Sequence, residues 1–451
     1  MMWGQARSSR GVMGVGSHMI AGVRARLTFT QTDSHPSIQT TRHFAEALGG
    51  WRDEQISVAE YRNAAGRAGR LGQGSAGQAI LLADGPWENG QLVNGYVLGH
   101  VEQIDSQIPQ RPFADVVFSV LCAELAFDEA SVVDFIAATF AYRTFYDRQG
   151  GGLPEIRRGV AQAVAQCLGT GLIVREDGRL RPTQVGKVFA GAGVRLETSA
   201  RLAAFLDSAH QSWPSTQDFV FEVAWGDETG NRPWPRWQRG VGELDPRRDP
   251  SLMLVPDGAG CSRASRLAMT LAKPSLTTTE AKALLKTRCL LEWMSGATLR
   301  GISRQFYGHG AAPTRVRELG KNAAWLLEVL AAGAELRGLE ADLVREIRGL
   351  AVEARYGLPS ILARLRVPGI SRDALLHLYQ NDRGVELYDP EVILDTPADA
   401  FDGLLSPLQV ARLKQAILDE VEESLRRCRA GQVARAEQTE LPRRAWSRAS
   451  T

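Results

Sequence analysis

The sequence predicts a mostly α-helical protein that begins with a short α/β segment. Short apolar runs that end in turn residues occur mainly before residue 100, whereas amphipathic helical patterns dominate from about Pro112 onward. The 451 residues are 44% hydrophobic and 23% charged, as expected for a globular chain of roughly two to four domains.

Composition excludes several classes of protein. The net charge is only +2, so any basic surface must come from local asymmetry. The five cysteines are scattered without a C-x-x-C pair, which excludes a zinc knuckle or disulfide framework and fits a reducing cytoplasm. The scattered cysteines also predict no metal site. No apolar run approaches the roughly 20 residues that cross a bilayer, so no membrane association is expected.

The N-terminal 32 residues contain four arginines and no acidic residue. This pattern is compatible with a transit peptide, but a misassigned start codon or a disordered tail is the simpler interpretation, and residues 1–24 are interpreted as a tail. A short strand is predicted from Ala25 to Thr32.

A helix is predicted to begin near Val58. Ser57 and Glu60 form a capping-box pattern, in which the hydroxyl and the carboxylate each accept a free backbone N–H. The helix should end in the glycine-rich run 66–77, and residues 78–83 should form a strand.

Residues 112–198 have the pattern of three helices, a hairpin and a further helix. The helices are predicted over 113–127, 131–145 and 154–168, and Asp177-Gly178 predicts a tight turn between two strands over 172–182. Thr183 is a helix cap. This order is typical of a winged helix.

The remaining part of the chain is predicted to be helical with interruptions. Proline and glycine break the pattern over 200–275, so irregular helices and loops are expected there. A strongly helical region follows over 279–350, including a long helix from about Pro313 to Leu336. Short helices are predicted over 353–418.

The most specific segment of the chain is Glu60–Arg70, which reads EYRNAAGRAGR. It resembles motif VI of superfamily 2 helicases, Q-x-x-G-R-x-G-R, and the flanking residues resemble the Ski-type branch of the DExH helicases. The resemblance implies that Arg67 and Arg70 are arginine fingers on the γ-phosphate of ATP, with Gly66 and Asn63 beside the nucleotide. Asn63 stands where many members have glutamine. The alternative interpretation is an ordinary Arg/Gly-rich helix end, whose cations suit the helix dipole.

The motifs of the first motor domain are not found in this sequence. No G-x-x-x-x-G-K-[ST] occurs, and Asp128-Glu129 lies between two amphipathic helices, where it predicts a cap rather than a Walker B strand end. Residues 25–100 are therefore interpreted as a partial second RecA-like domain. Because a few parallel strands cannot cover both faces of a sheet, this segment is expected to pack poorly, or on the downstream domains or a partner.

The resemblance also implies an order for the downstream domains. It places a winged helix at 101–199, a helical ratchet bundle at 200–345, a helix-hairpin-helix domain at 346–420 and a basic tail at 421–451. A winged helix often reads DNA with its third helix, but in this family it mainly braces the motor.

The predicted ratchet helix carries two stripes. Val316, Ala323, Leu327, Leu330 and Ala334 form the predicted core stripe. Arg317, Lys321 and Trp325 form the adjacent stripe, which could hold phosphates and stack a base. Alternatively, Trp325 belongs to the core and the two cations are solvated.

The segment 365–372 resembles the hairpin of a helix-hairpin-helix unit. Backbone N–H groups at the start of the following helix can bind a phosphate, which Arg366 and Arg372 would flank. Gly369 is the first hairpin glycine, and Ser371 stands where the second is usual.

Two main functions follow from the resemblance. The first is the C-terminal part of an ATP-dependent translocase that moves 3′→5′ on single-stranded or partly duplex nucleic acid, with DNA favoured. A first RecA-like domain would come from an upstream frame or a second chain, and ATP and Mg²⁺ would bind only in the complete motor. The second is a stand-alone nucleic-acid-binding or regulatory protein; a protein-docking helical module is a third. The resemblance implies a cytoplasmic bacterial or archaeal protein with a role in DNA repair or phage defence.

Overall fold

The computed structural model is mostly helical, and it divides into two compact units, Met1–Ser106 and Gln107–Thr451. The residues that the structure describes are 12–20, 23–30, 42–45, 50–53, 57–67, 78–82, 86–102, 104, 106–149, 151–210, 212–226, 228, 254, 265–306, 311–363, 365–380, 387–419, 421–422 and 426.

The first unit contains five described strands and two α-helices. The strands are β1 (Val12–Ile20), β2 (Val23–Thr30), β3 (Arg42–Ala45), β4 (Gly50–Asp53) and β5 (Gln78–Leu82). The helices are α1 (Val58–Arg67) and α2 (Pro86–Leu92), and a π-helical turn, Val93–Val97, follows α2.

The strand pairing in this unit differs from the prediction. The sheet has the order β1-β2-β5 and every pair is antiparallel, as is the separate pair β3-β4. A parallel arrangement was expected, but only two residues separate β1 from β2, and a parallel crossover needs about a dozen. Moreover, β1 occupies residues interpreted as a disordered tail. The sequence of β2 alternates apolar and polar residues over Val23–Thr30, which suits a strand.

Helix α1 begins at Val58, as predicted. The backbone N–H groups of Val58 and Ala59 donate to the two carboxylate oxygens of Glu102, at 2.5 and 3.0 Å. These hydrogen bonds lower the pKa of Glu102. Thus a carboxylate 43 residues away satisfies free donors at the start of α1.

The second unit consists of helices and one hairpin. The helices in its first part are α3 (Phe113–Cys122), α4 (Glu129–Ala137), α5 (Asp147–Gln149), α6 (Gly152–Gly169), α7 (Gln184–Gly191), α8 (Leu196–Ala209), α9 (Thr216–Trp225) and α10 (Arg266–Leu271). The strands are β6 (Ile173–Glu176) and β7 (Arg179–Pro182), which are antiparallel.

Eight helices are described in the rest of this unit. They are α11 (Thr278–Met294), α12 (Leu299–Gln305), α13 (Pro313–Leu336), α14 (Ala341–Tyr356), α15 (Ser360–Ala363), α16 (Arg372–Tyr379), α17 (Pro390–Asp395) and α18 (407–419). Short 3₁₀ turns occur at Ile108–Gln110 and Ala398–Phe401, and a π-helical turn at Tyr142–Tyr146.

The predicted order of three helices, hairpin and helix is present as α3, α4, α6, β6-β7 and α7, and the first two of these helices end earlier than predicted. Helix α3 stops before the predicted Phe127 because Glu124 adopts a left-handed conformation (φ 56°) and the N–H of Leu125 returns to the carbonyl of Val120. The second helix begins slightly before, and ends well before, its predicted bounds. The turn at Asp177-Gly178 has positive φ at both residues, as that dipeptide predicts.

Both predicted caps in this region are confirmed. Asp128 and Ser131 form a capping box at the start of α4, with the Ser131 N–H donating to Asp128 Oδ1 at 2.7 Å. Asp128 is therefore a cap, as predicted. Thr183 Oγ1 accepts the N–H of Gly186 at 3.1 Å and caps α7.

Residues 200–275 are more regular than expected where the structure describes them. Helices α8 and α9 pack on each other through Phe205 and Phe219, whose ring centroids lie 5.5 Å apart. The capping box of Ser215 and Asp218 starts α9. Residues 229–253, which include two of the tryptophans, lie outside the described residues.

The core of the second unit consists of two clusters of buried side chains. The larger cluster extends from α3 to α14, and a smaller cluster joins α15–α18. The predicted core stripe of α13 is confirmed, because all five of its residues are buried in the larger cluster. Helix α13 therefore anchors one face in the core and presents another to solvent.

One ion pair lies inside the larger cluster. Arg201 on α8 donates from Nη1 to Glu222 Oε2 on α9 at 2.7 Å, and both side chains are less than a tenth exposed. The other carboxylate oxygen, Oε1, lies 3.1 Å from Nε of the half-exposed Arg266 on α10. Charged groups thus join three helices in a site where desolvation of an unpaired charge would be costly.

Candidate functional site

Helix α13 places two cations on the surface of the second unit. Arg317 and Lys321 are exposed and lie one turn apart, beside the buried stripe. Trp325, the third residue of the predicted stripe, is half-buried against the larger core cluster. The alternative interpretation of a core role therefore fits Trp325, whereas the two cations are available at the surface.

The segment between α15 and α16 forms a tight hairpin. The N–H of Ile370 donates to the carbonyl of Val367 at 3.1 Å, and Gly369 has φ +91°, a conformation that favours glycine. Ser371 caps α16 by accepting the N–H of Ala374 at 3.1 Å. The exposed guanidinium of Arg366 lies over the ring of Tyr356, 3.5 Å from its centroid.

These elements enclose a cavity of about 370 Å³, which we call the cationic cleft. Five of its lining residues are basic and one is acidic: Arg317, Lys321, Arg355, Arg366, Arg372 and Asp373. Its other lining residues are Trp293, Leu299, Tyr356, Leu358, Ile370, Ser371 and Leu375. The structure thus brings together four predicted site residues from two separate segments.

Three of the cations are free to meet an anion. In the part of the chain that the structure describes, Arg317, Lys321 and Arg366 have no carboxylate partner. Arg355, at the end of α14, pairs with Glu328 on α13 at 2.7 Å. Like charges in one cleft repel each other, and a multivalent anion would relieve this repulsion.

Arg372 lines the cleft and also makes contacts that were not predicted. Its Nε donates to the carbonyl of Gly357 at 2.7 Å, its Nη2 donates to that of Ala297 at 2.8 Å, and the guanidinium lies 4.2 Å from the ring centroid of Trp293. Burial lowers its pKa to about 10; the charge of Asp373 opposes this shift and that of Arg317 adds to it. Through Nε and Nη2, Arg372 therefore braces the hairpin against α11 and α14, whereas its Nη1 makes no hydrogen bond and lies 3.7 Å from Asp373 Oδ1.

Trp293 also holds the hairpin and the end of α14 together. Its indole Nε1 donates to the carbonyl of Ala354 at 2.8 Å. At Gly357, where φ is +64°, a Cβ atom would lie 2.1 Å from the Trp293 ring, so only glycine fits. Trp293 and Arg372 together hold the end of α14, and with it Arg355 and Tyr356, at the edge of the cleft.

Gly369, the predicted hairpin glycine, is not among the residues that line the cationic cleft. Its carbonyl accepts Nε2 of Gln409 at 2.9 Å, and a Cβ atom on it would lie 2.8 Å from Nη1 of Arg412. Both partners belong to α18. The hairpin glycine thus packs against the last described helix of the unit.

Arg355 and Tyr356 are among the lining residues that were not predicted. A local signal for them exists, because they directly precede Gly357, a left-handed glycine at the end of a helix where cations suit the dipole. Their contribution to the cleft depends on the packing of α13 against α14, which no local pattern reveals.

The motif VI residues lie in the first unit. Asn63 is exposed on α1, and Gly66 and Arg67 are the last two residues of that helix. The exposed Arg62 donates from Nη2 to the carbonyl of Gly99 at 2.6 Å. Arg70 and the side-chain surroundings of Arg67 lie outside the described residues.

Among the curated proteins that are similar to this chain are three ATP-dependent DNA helicases Hel308. The protein from Aeropyrum pernix is 24% identical over 324 residues, which cover 71% of this chain and 40% of the relative. The protein from Caldivirga maquilingensis is 24% identical over 346 residues, covering 72% and 42%. The protein from Pyrobaculum calidifontis is 30% identical over 148 residues, covering 33% and 20%.

The chain is similar to the C-terminal part of the Hel308 helicases. The predicted resemblance to the C-terminal half of a Ski-type helicase is therefore confirmed, and the chain spans about two fifths of the length of the Aeropyrum pernix and Caldivirga maquilingensis proteins. No protein-family model matches the chain. None of the helices in the described ranges combines the length and apolarity needed to cross a bilayer.

Proposed function

We propose that this chain is the strand-gripping part of an ATP-dependent nucleic-acid helicase, and that the backbone of a single strand lies in the cationic cleft. The observation that carries this proposal is the convergence of Arg317, Lys321 and Arg366 on one cavity without a carboxylate partner among the described residues. Guanidinium and ammonium groups bind phosphate through charge-assisted hydrogen bonds. The Hel308 relatives, which are named as DNA helicases, favour DNA as the ligand.

The cleft suits a single strand because it combines cations with a stacking surface. Proteins that bind single strands pair a positively charged groove with aromatic or guanidinium planes on which bases stack. The Arg366 guanidinium over Tyr356 offers such a plane beside Arg317 and Lys321. The half-buried Trp325 is a second candidate for stacking.

The finer domain assignments belong to this proposal. Helices α3, α4 and α6 with β6-β7 would be the winged helix that braces the motor, α13 the ratchet helix, and the α15–α16 hairpin the helix-hairpin-helix element. Translocation would run 3′→5′, as the resemblance implies.

The nucleotide-binding residues also remain a proposal. Asn63 and Arg67 lie four residues apart on α1, so they share one side of the helix, and the exposed amide of Asn63 suits contact with a polyanion. Arg67 and Arg70 would stabilise charge on the γ-phosphoryl group, and ATP with Mg²⁺ would supply the phosphoryl transfer in a motor completed by a first RecA-like domain.

A fluorescence-anisotropy titration with labelled oligo-dT tests the cleft. The full chain is expected to bind with a strong dependence on salt. Replacing Arg317 and Lys321 together by alanine should weaken binding roughly tenfold and lower the slope of log K against log salt by about 1.4, since each single-strand phosphate contact contributes about 0.7.

The matched control is the double replacement of Arg345 and Arg348 by alanine. These arginines also lie on an exposed helix surface, pair with Asp342 and Glu335, and do not line the cleft. The control should keep the wild-type slope within about 0.3. Absent or salt-insensitive binding by the wild type, or equal losses in the two variants, would contradict the proposal.

The stand-alone binding protein without ATPase activity is the second candidate function. It predicts the same behaviour of the cleft but no gain in ATP turnover on addition of a first RecA-like domain. The strand-binding cleft is common to both candidates, so the titration tests what they share.

A further inference from the structure

Two ion pairs join α13 to α14 on the surface of the second unit. Glu328 pairs with Arg355 and Glu335 pairs with Arg348, each at 2.7 Å. The later glutamate on α13 pairs with the earlier arginine on α14, so the two helices are antiparallel. In both pairs the side chains are about half exposed.

The two pairs differ in what surrounds the arginine. Arg355 lines the cationic cleft, with Arg366 on the adjoining Tyr356, whereas Arg348 does not line it. Neither glutamate lines the cleft. An anion in the cleft would therefore contact Arg355 together with the neighbouring cations. Among the described residues, Glu328 forms an ion pair with Arg355 and with no other cation.

Competition between a phosphate and Glu328 favours the phosphate. A half-exposed ion pair is weak, because water and salt screen it and two long side chains must be held in place. A phosphate offers the same arginine a bidentate acceptor, and neighbouring cations strengthen its binding in the cleft. Exchange of one acceptor for the other keeps the Arg355 charge neutralised throughout.

We propose that Arg355 is a further phosphate-binding residue of the cationic cleft, and that Glu328 holds its guanidinium as an internal counter-ion until the strand displaces it. This inference rests on the proposed function and adds its regulation. Glu328 lowers the affinity for the strand and speeds release, which a translocating grip requires at every step.

The test is a titration of labelled oligo-dT with the full chain and four single variants. E328Q frees Arg355 and should tighten binding about two- to fivefold, the range expected from removing one exposed ion pair. R355Q should weaken binding about fivefold and lower the salt slope by about 0.7. The controls E335Q and R348Q alter the equivalent pair outside the cleft and should change affinity less than about 1.5-fold.

The double variant E328Q/R355Q isolates the link between the two residues. If Glu328 acts through Arg355, E328Q has no effect once Arg355 is gone, so the double variant binds like R355Q. A melting temperature that matches that of the wild type excludes altered folding as the cause of a changed affinity. If R355Q folds poorly, the affinities of E328Q and E335Q still test the counter-ion role of Glu328.

The possible outcomes separate this inference from the proposed function. Tighter binding by E328Q, and loss of that gain in the double variant, supports it. A wild-type chain that binds while E328Q matches E335Q overturns the counter-ion role and leaves the cleft intact. A wild-type chain that does not bind oligo-dT at all contradicts the proposed function itself.

Discussion

Replacing Arg67 by alanine is expected to lower the ATP turnover of a motor reconstituted with a first RecA-like domain at least ~100-fold. An arginine finger places a planar guanidinium against charge that develops on the transferred phosphoryl group, and no neighbouring neutral side chain replaces it. Arg67 is the last residue of α1, and the resemblance to motif VI implies an arginine finger at this position.

The control for this prediction lies on the same helix. Arg62→Ala removes an exposed arginine together with its hydrogen bond to the carbonyl of Gly99. It should lower turnover less than about tenfold, because it removes a local contact and no phosphate ligand. Strand binding should be unchanged in both variants. Equal turnover in Arg67→Ala and the wild type would contradict the motif VI assignment.

Replacing Glu222 by glutamine is expected to destabilise the second unit by about 3 kcal/mol, measured by urea denaturation. The change leaves the buried Arg201 charge without the carboxylate that it pairs with. Burial lowers the pKa of Arg201, and the charge of Glu222 opposes that shift. Glutamine keeps an acceptor for the hydrogen bond at 2.7 Å but not the charge, so the lost interaction is mainly electrostatic.

Two comparisons make this prediction specific. The double variant Arg201→Met/Glu222→Leu removes both buried charges and should recover most of the lost stability, because a well-packed apolar pair often replaces a buried ion pair at little cost. Glu335→Gln breaks an exposed pair and should cost less than about 0.5 kcal/mol. A Glu222→Gln variant as stable as Glu335→Gln would show that the buried pair contributes nothing.

Local chemistry made much of the fold predictable. Helix α13 has the bounds that its apolar stripe and Pro313 predict, and Asp128 and Thr183 cap the helices that follow them. Asp177-Gly178 forms the tight turn. In each case residues close in sequence determine the conformation, so packing elsewhere does not alter the outcome.

Features that depend on distant contacts were not predictable. The antiparallel pairing of β2 with β5 joins segments about 50 residues apart, and the Arg201–Glu222 pair lies 21 residues apart without a local signature. A charged residue in a helix is ordinarily exposed, so nothing marked Arg201 as a core residue.

The candidate site illustrates the same division. Arg317, Lys321 and Arg366 were selected from motif and spacing, and the structure brings them to one cleft. The roles of Arg372 and Gly369 depend instead on Trp293 and α18, which the hairpin sequence does not contain. The sequence therefore identified the basic residues of the cleft. Tertiary packing determines which of them have no carboxylate or backbone-carbonyl partner among the described residues.

Photo-cross-linking of a 5-iodouracil-substituted single strand to the full chain tests the central claim most directly. Irradiated iodouracil forms covalent links with side chains close to the base, most readily with aromatic ones, and mass spectrometry locates the linked peptide. The strand-binding cleft predicts links on the peptide that ends α14 and contains Tyr356, with loss of these links in the Arg317→Ala/Lys321→Ala variant. Links confined to other segments, such as the β6-β7 hairpin, would contradict it.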